Sequence, residues 1–273
     1  MRHRCRRPTA AAALATALLT ALLPAQRPLR PKVPAPGAAT SILFVGNSYT
    51  HYHDLPGCVQ ALGRAETPPR PITVRMLAPG GCTLELHWQA TGDDAPRKVL
   101  PAMKPDFVVL QEQSRLPIDD EKRMRDFALR FCQLAQKHAA EPVLYMTWAR
   151  ADEPQLQDRI AAAYVAVGKA AGVRVAPVGR AWQHALAAHP DQTLHVEDGS
   201  HPDPRGTYLA ACVLHATIFG SDVTKFPDRL TLADAKGGER VLLELSPEVG
   251  ARLRAAAAAA LGPATAPSPA KRG

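Results

Sequence analysis

Ser41-Ile-Leu-Phe-Val-Gly-Asn-Ser-Tyr-Thr50 is the stretch on which the fold turns. Its first five residues are a compact apolar run, too short for a confident helix and rich in residues that favour strands. Gly46 then lets the chain turn sharply, and Ser48 follows at the carboxyl end of the strand, before a helical segment at 55–64. Four more such runs follow at 72–77, 106–110, 142–147 and 173–177. Between and after them lie helix-forming stretches at 119–138, 155–171, 204–219 and 247–261. Met124, Phe127, Phe131 and Leu134 mark an apolar face in the first of these. Strand alternating with helix implies an α/β fold of three layers, α/β/α, with a central parallel sheet of about five strands. In such sheets reactive groups gather at the carboxyl ends of the strands.

The 273 residues suffice for one sizeable core. Hydrophobic residues make up 46% and aromatics only 5%, so that core is mainly aliphatic. Residues 1–25 read as a signal peptide: Arg2, Arg4, Arg6 and Arg7 precede an apolar run from Ala10 to Leu23, with Pro24-Ala25 at a small-residue cleavage position. The run is short for a membrane span, and an uncleaved N-terminal anchor is the rival reading. Residues 26–40 are a Pro-rich, semi-rigid or disordered spacer, 41–261 the folded domain, and 262–273 a disordered Pro/Ala-rich tail. The signal, spacer and tail carry nine positive charges and no acid, so the net charge of +8 leaves the domain itself near −1. The basic balance is thus an end effect and gives no reason to expect a nucleic-acid partner. After signal removal Cys58, Cys82, Cys132 and Cys212 remain, without C-x-x-C spacing, so no metal site is expected. They are either disulfide partners or buried thiols.

Four segments carry polar or glycine residues where strands end. The first holds Asn47 and Ser48. Ala78-Pro-Gly-Gly-Cys-Thr83 follows the second strand, and its glycines allow a backbone N–H to approach a reacting carbonyl. Gln111-Glu-Gln-Ser114 follows the third strand and offers side-chain amides. Glu197-Asp-Gly-Ser-His-Pro202 places a carboxylate three residues before an imidazole. A serine hydroxyl needs a base to take its proton. Histidine has the intrinsic pKa for that task. A carboxylate on the other ring nitrogen fixes the tautomer and stabilises the imidazolium. Each segment alone reads equally as a loop or cap; the four together point to acyl transfer.

On these residues the chain resembles the SGNH (GDSL-like) hydrolases, and especially the bacterial subgroup opening I-L-F-x-G-N-S-[FY]-T, which Ile42–Thr50 matches. The resemblance spans about 41–220. It implies the flavodoxin-like SGNH-hydrolase fold, Ser48 as nucleophile, and Asp198 and His201 as its acid–base partners. It also implies an oxyanion hole made by Ser48, Gly81 and Gln113, without cofactor or metal. The third block departs from the usual Gly-x-Asn-Asp: Gln113 stands where the Asn would be, and Gln111 is an alternative donor. Asn47, Gln111 and Trp148 are candidates for the substrate pocket, with Trp148 placed either to stack on a sugar or to pack in the core. His51, His53 and His87 are weaker candidates for the cleft. The implied function is an exported (periplasmic or extracellular) serine esterase acting on acetyl or other short acyl esters of small molecules or carbohydrates, with no stable membrane insertion after cleavage. A non-catalytic glycan- or ligand-binding module on the same fold is the alternative. A flavin- or nucleotide-binding domain is disfavoured because the first strand-to-helix turn lacks a phosphate-binding glycine pattern.

Overall fold

The computed structural model describes residues 34–234 and 237–262. The expected signal peptide and nearly all of the expected tail lie outside them. The elements, in chain order, are β1 (Thr40–Val45), α1 (Ser48–His51), α2 (Leu55–Ala65), β2 (Ile72–Leu77), α3 (Leu84–Gln89), α4 (Pro96–Met103), β3 (Phe107–Leu110), α5 (Leu116–Asp119), α6 (Glu121–Lys137) and β4 (Glu141–Tyr145). There follow α7 (Gln157–Ala171), β5 (Arg174–Ala176), α8 (Val178–Ala188), α9 (Pro204–Phe219), β6 (Arg229–Ala233), β7 (Glu239–Glu244) and α10 (Pro247–Leu261).

The five expected strands form one parallel sheet in the order β2-β1-β3-β4-β5. Side chains alternate across a strand, and β1 shows what that does here. Ile42 and Phe44 pack with Phe107, Val109, Val143 and Tyr145 under α2, α8, α9 and α10. Leu43 and Val45 pack on the opposite face with Val108, Leu110 and Leu144 under α4, α6 and α7. Both faces of the sheet are therefore covered. This explains why the central strands read as unbroken apolar runs rather than as alternating ones. The strand order reverses direction between β1 and β3, and the crevice at such a switch point is where open α/β sheets place their ligands. Ser48 stands there, immediately beyond β1.

Three features depart from the sequence reading. The spacer ends earlier than residue 40, because Thr40 already pairs with Ile72. Pro34 and Ala35 are also held, since both carbonyls accept from the Arg70 guanidinium. The sequence reading places no helix at α3, α4 or α8. Nor does it place strands in 220–246, where β6 and β7 form an antiparallel ribbon. That ribbon has only Leu230 and Leu243 well buried, so its apolar signal is weak. Cys58, Cys82, Cys132 and Cys212 are all free thiols. Among the described residues no helix is long and apolar enough to cross a membrane.

Candidate active site

Three side chains from opposite ends of the domain meet above β1. The Ser48 hydroxyl lies 2.8 Å from His201 Nε2, across 153 positions of sequence. On the other edge of the same ring, Nδ1 lies 2.5 Å from Asp198 Oδ2. The imidazole therefore bridges hydroxyl and carboxylate. With Nδ1–H donated to Asp198, Nε2 is the free base that faces the hydroxyl. All three are open to solvent in part; the side chains of His201 and Asp198 are 27% and 46% exposed.

The first strand delivers Ser48 through a turn that only glycine permits. A Cβ on Gly46 would lie 2.4 Å from Thr50 Oγ1 and 2.6 Å from Gln111 Oε1. His87, buried from α3, holds the same turn by donating from Nε2 to the Gly46 carbonyl at 2.7 Å. Burial lowers the pKa of His87, which keeps it neutral in that role. Asn47 caps α1 by accepting from the Tyr49 N–H, and its Nδ2 donates to the Cys82 carbonyl. That second bond ties the glycine loop at 80–82 to the serine turn.

The Asp198–His201 loop is equally fixed. Asp198 Oδ1 accepts from the Ser200 and His201 amides, and Gly199 takes φ +65° between them. Burial pushes the Asp198 carboxyl up, but the ring and backbone donors outweigh it and hold the group down at about 2. Asp198 is thus a carboxylate throughout the pH range in which an imidazole works. From below, Trp148 Nε1 donates to the Ser200 carbonyl, and the Tyr49 and Ser200 hydroxyls share a hydrogen bond of 2.7 Å.

The third segment divides into distinct tasks. Gln111 is fully buried, and its Nε2 already donates to Asn47 Oδ1 and to the Glu112 carbonyl. Its Oε1 accepts from the Asn47 N–H and the Thr50 hydroxyl. Gln111 therefore has no donor to offer a ligand. Gln113 is partly exposed. Its Oε1 takes the Arg115 and Leu116 amides, which leaves Nε2 with only a long 3.4 Å contact to Ser114. Of the two amides, Gln113 is the one with donor capacity to spare. Among the described residues neither the Ser48 nor the Gly81 N–H is drawn into a hydrogen bond. Gly81 sits at φ +68°, the left-handed region that favours glycine.

The three pocket candidates need correction. Asn47, Gln111 and Trp148 are 2%, 0% and 1% exposed, so none presents a surface to a ligand. Trp148 is stacked on both faces, by Tyr49 at 4.4 Å and by Trp182 at 3.9 Å between ring centroids. No face remains for a sugar, and the core-packing alternative holds. His51 gives Nδ1 to the Ala78 carbonyl, and His53 gives Nε2 to the Pro202 carbonyl; both brace loops of the site.

Two contributors escaped the sequence reading. Tyr52 stacks on the His201 ring at 4.5 Å between centroids and 14° between planes. It is four residues after Ser48, a spacing that places side chains on one helical face and is the signal that could have found it. Glu112, which lies between the two glutamines, is a buried strut. Its Oε1 accepts from the Leu84 and Gln113 amides, joining the second and third segments. Burial pushes its carboxyl up to about 7, and among the described residues Oε2 has no hydrogen-bond partner.

With this geometry in place, solved structures locate the architecture. A protein from Slackia heliotrinireducens described as an SGNH hydrolase is 28% identical, covering 66% of this chain and 99% of its own, with a TM-score of 0.54. The fold is that of the SGNH hydrolases. A DUF4886 family protein from Bacteroides uniformis superposes over 82% of this chain and 95% of its own, at 20% identity and a TM-score of 0.62. An acetyl-xylooligosaccharide esterase from Geobacillus stearmophilus covers 67% and 95%, at 16% identity and 0.55. These two likenesses, below a quarter identity, are likenesses of fold. No protein-family profile matches the chain. No curated protein matches it either.

Proposed function

We propose that this chain is an exported serine esterase that removes acetyl or other short acyl groups, carbohydrate-linked esters included. The observation that carries the reading is the single line Ser48 Oγ, His201 ring, Asp198 carboxylate. Ser48 Oγ attacks the ester carbonyl while His201 Nε2 takes its proton, and the C=O π pair moves onto the oxygen. In this reading the Ser48 and Gly81 amides and Gln113 Nε2 are the donors to that oxyanion. Collapse of the tetrahedral adduct expels the alkoxide, which takes the proton from His201 and leaves an acyl-Ser48 ester. Water then repeats the sequence, giving the carboxylic acid and free Ser48.

Three things support the acyl and alcohol classes. The Ile42–Thr50 opening resembles that of the SGNH hydrolases, an acetyl-ester hydrolase shares the fold, and the partly exposed histidine and aspartate leave room for a bulky alcohol. Export rests on the pattern of residues 1–25. The test is hydrolysis of p-nitrophenyl acetate and of an acetylated sugar panel by the wild type and Ser48→Ala. The expected result is turnover by the wild type that Ser48→Ala abolishes. Absence of turnover by the wild type across the panel would put the binding-module reading in its place.

A further inference from the structure

We infer that Tyr52 is a positioning residue for His201, holding the ring in line with Ser48 and stabilising the charge the ring gains when it takes the serine proton. The inference rests on the Ser48–His201–Asp198 reading above. The edges of the imidazole are occupied by Asp198 and Ser48, and Tyr52 lies flat on one face. Tyr49 meets the ring edge-on at 5.6 Å and 74°. The α1 turn and the residue directly after it thus carry the hydroxyl and the aromatic ring that covers its base.

The chain beyond Tyr52 is bent to keep that ring in place. His53 and Asp54 have φ of +50° and +54°, two successive left-handed residues with side chains. Such conformations are unfavourable away from glycine and collect where the surroundings enforce them. Here the surroundings are explicit. Asp54 Oδ1 accepts from the Gly57 N–H to cap α2, and Oδ2 accepts from Arg240 on β7 at 2.8 Å. A Cβ at Gly57 would lie 2.5 Å from the Asp54 carboxylate, so only glycine admits this cap. His53 donates to the carbonyl of Pro202, the residue after His201. The bend is therefore braced by α2, by the β6–β7 ribbon and by the histidine loop itself. This gives the ribbon, which is remote from the sheet, a part in the site.

The physical effect follows from when charge appears. His201 is neutral before it takes the serine proton and cationic after. An aromatic face attracts a cation more strongly than a neutral ring. The stack therefore stabilises the transition state more than the ground state, which raises kcat and leaves KM unchanged. The charged and titratable groups around this ring are Asp198 on its own loop, Tyr49 and Tyr52 at the α1 turn, and His53 against Pro202. Behind these stand His51, stacked on Tyr52 at 5.5 Å, the Asp54–Arg240 pair, and Arg150 near Tyr49.

The experiment compares kcat, KM and the pH profile of kcat/KM on p-nitrophenyl acetate for wild type, Tyr52→Phe and Tyr52→Leu. The Leu variant is expected to lose about tenfold in kcat with KM within about twofold. Its acid limb moves to lower pH, because the cation has lost a partner. Tyr52→Phe, which keeps the face and drops the hydroxyl, restores both. A Leu variant with wild-type kcat and an unmoved limb overturns the inference, as does a Phe variant as impaired as Leu. If Tyr52→Leu does not fold, Arg240→Ala, which releases the brace, takes its place with a smaller change in the same direction; no change counts against the inference. If the wild type turns over no ester, the esterase reading fails separately. The stack is then read from NMR titration of the His201 ring in wild type and variant, where coincident curves overturn it.

Discussion

Among the described residues two clusters of a serine, a histidine and a carboxylate lie one at each end of the sheet, and they differ in which group stands in the middle. At the carboxyl end, His201 lies between Ser48 and Asp198. At the amino end, Glu66 lies between the others: the Ser221 hydroxyl and the Arg70 guanidinium both donate to it, and His215 Nε2 stands 3.5 Å away. His215 is fully buried, and among the described residues neither ring nitrogen has a hydrogen-bond partner. Burial, with the nearby Arg70 charge, pushes its pKa down to about 3. A histidine in the middle can take a proton from the serine and be stabilised as a cation. A carboxylate in the middle that is already held by arginine only accepts hydrogen bonds. The same three residue types therefore give a geometry suited to proton transfer at one end and a structural clamp at the other, where Arg70 also holds residues 34 and 35.

Substitutions at matching positions sharpen that contrast. Asp198→Asn is expected to lower kcat/KM on a short acyl ester by about three to four orders of magnitude, because the wrong histidine tautomer then faces Ser48. Glu66→Gln is expected to leave kcat/KM within about threefold but to destabilise the fold by about 3 kcal/mol in denaturant titration, since the Arg70 charge, 4% exposed, loses its partner. A large activity loss in Glu66→Gln would break the distinction.

Gln113→Leu tests the oxyanion side and is expected to cost about a hundredfold in kcat. Its neighbour Glu112 tests how the segments behind that side are joined. A carboxyl held near 7 in the fold and near 4.5 in the open chain binds more protons when folded between those values. Stability should therefore fall as pH rises from about 4.5 to 7, by about 3 kcal/mol in total. Glu112→Gln keeps an acceptor for the Leu84 and Gln113 amides and should flatten that slope in melts at pH 5 and pH 8. The smallest effect is expected of Ser221→Ala, with kcat/KM within about twofold of wild type.

What the sequence made legible follows the same division between local and distant chemistry. The strands of the sheet were readable because each is a short run rich in apolar and β-branched residues, and β1 ends in its own punctuation, Gly46 after Val45. The candidate triad was readable because Asp198 and His201 sit in one turn and Ser48 ends a strand. The Trp148 stack was not, since it joins residues 49, 148 and 182, whose spacing carries no period. Choosing between Gln111 and Gln113 required knowing which amide was already spent. The ribbon at 229–244 was hidden because its strands bury few side chains. Tyr52 lay in plain view at helical spacing from Ser48, but its role depends on a ring 149 positions downstream.

The most direct test of the central claim is covalent labelling by a serine-directed fluorophosphonate, with the modified peptide located by mass spectrometry in wild type and His201→Ala. One adduct on Ser48 in the wild type, formed at least a thousandfold more slowly in His201→Ala, is the outcome this geometry requires. No adduct in the wild type, an adduct on Ser221, or equal labelling of Ser48 in both proteins would contradict it.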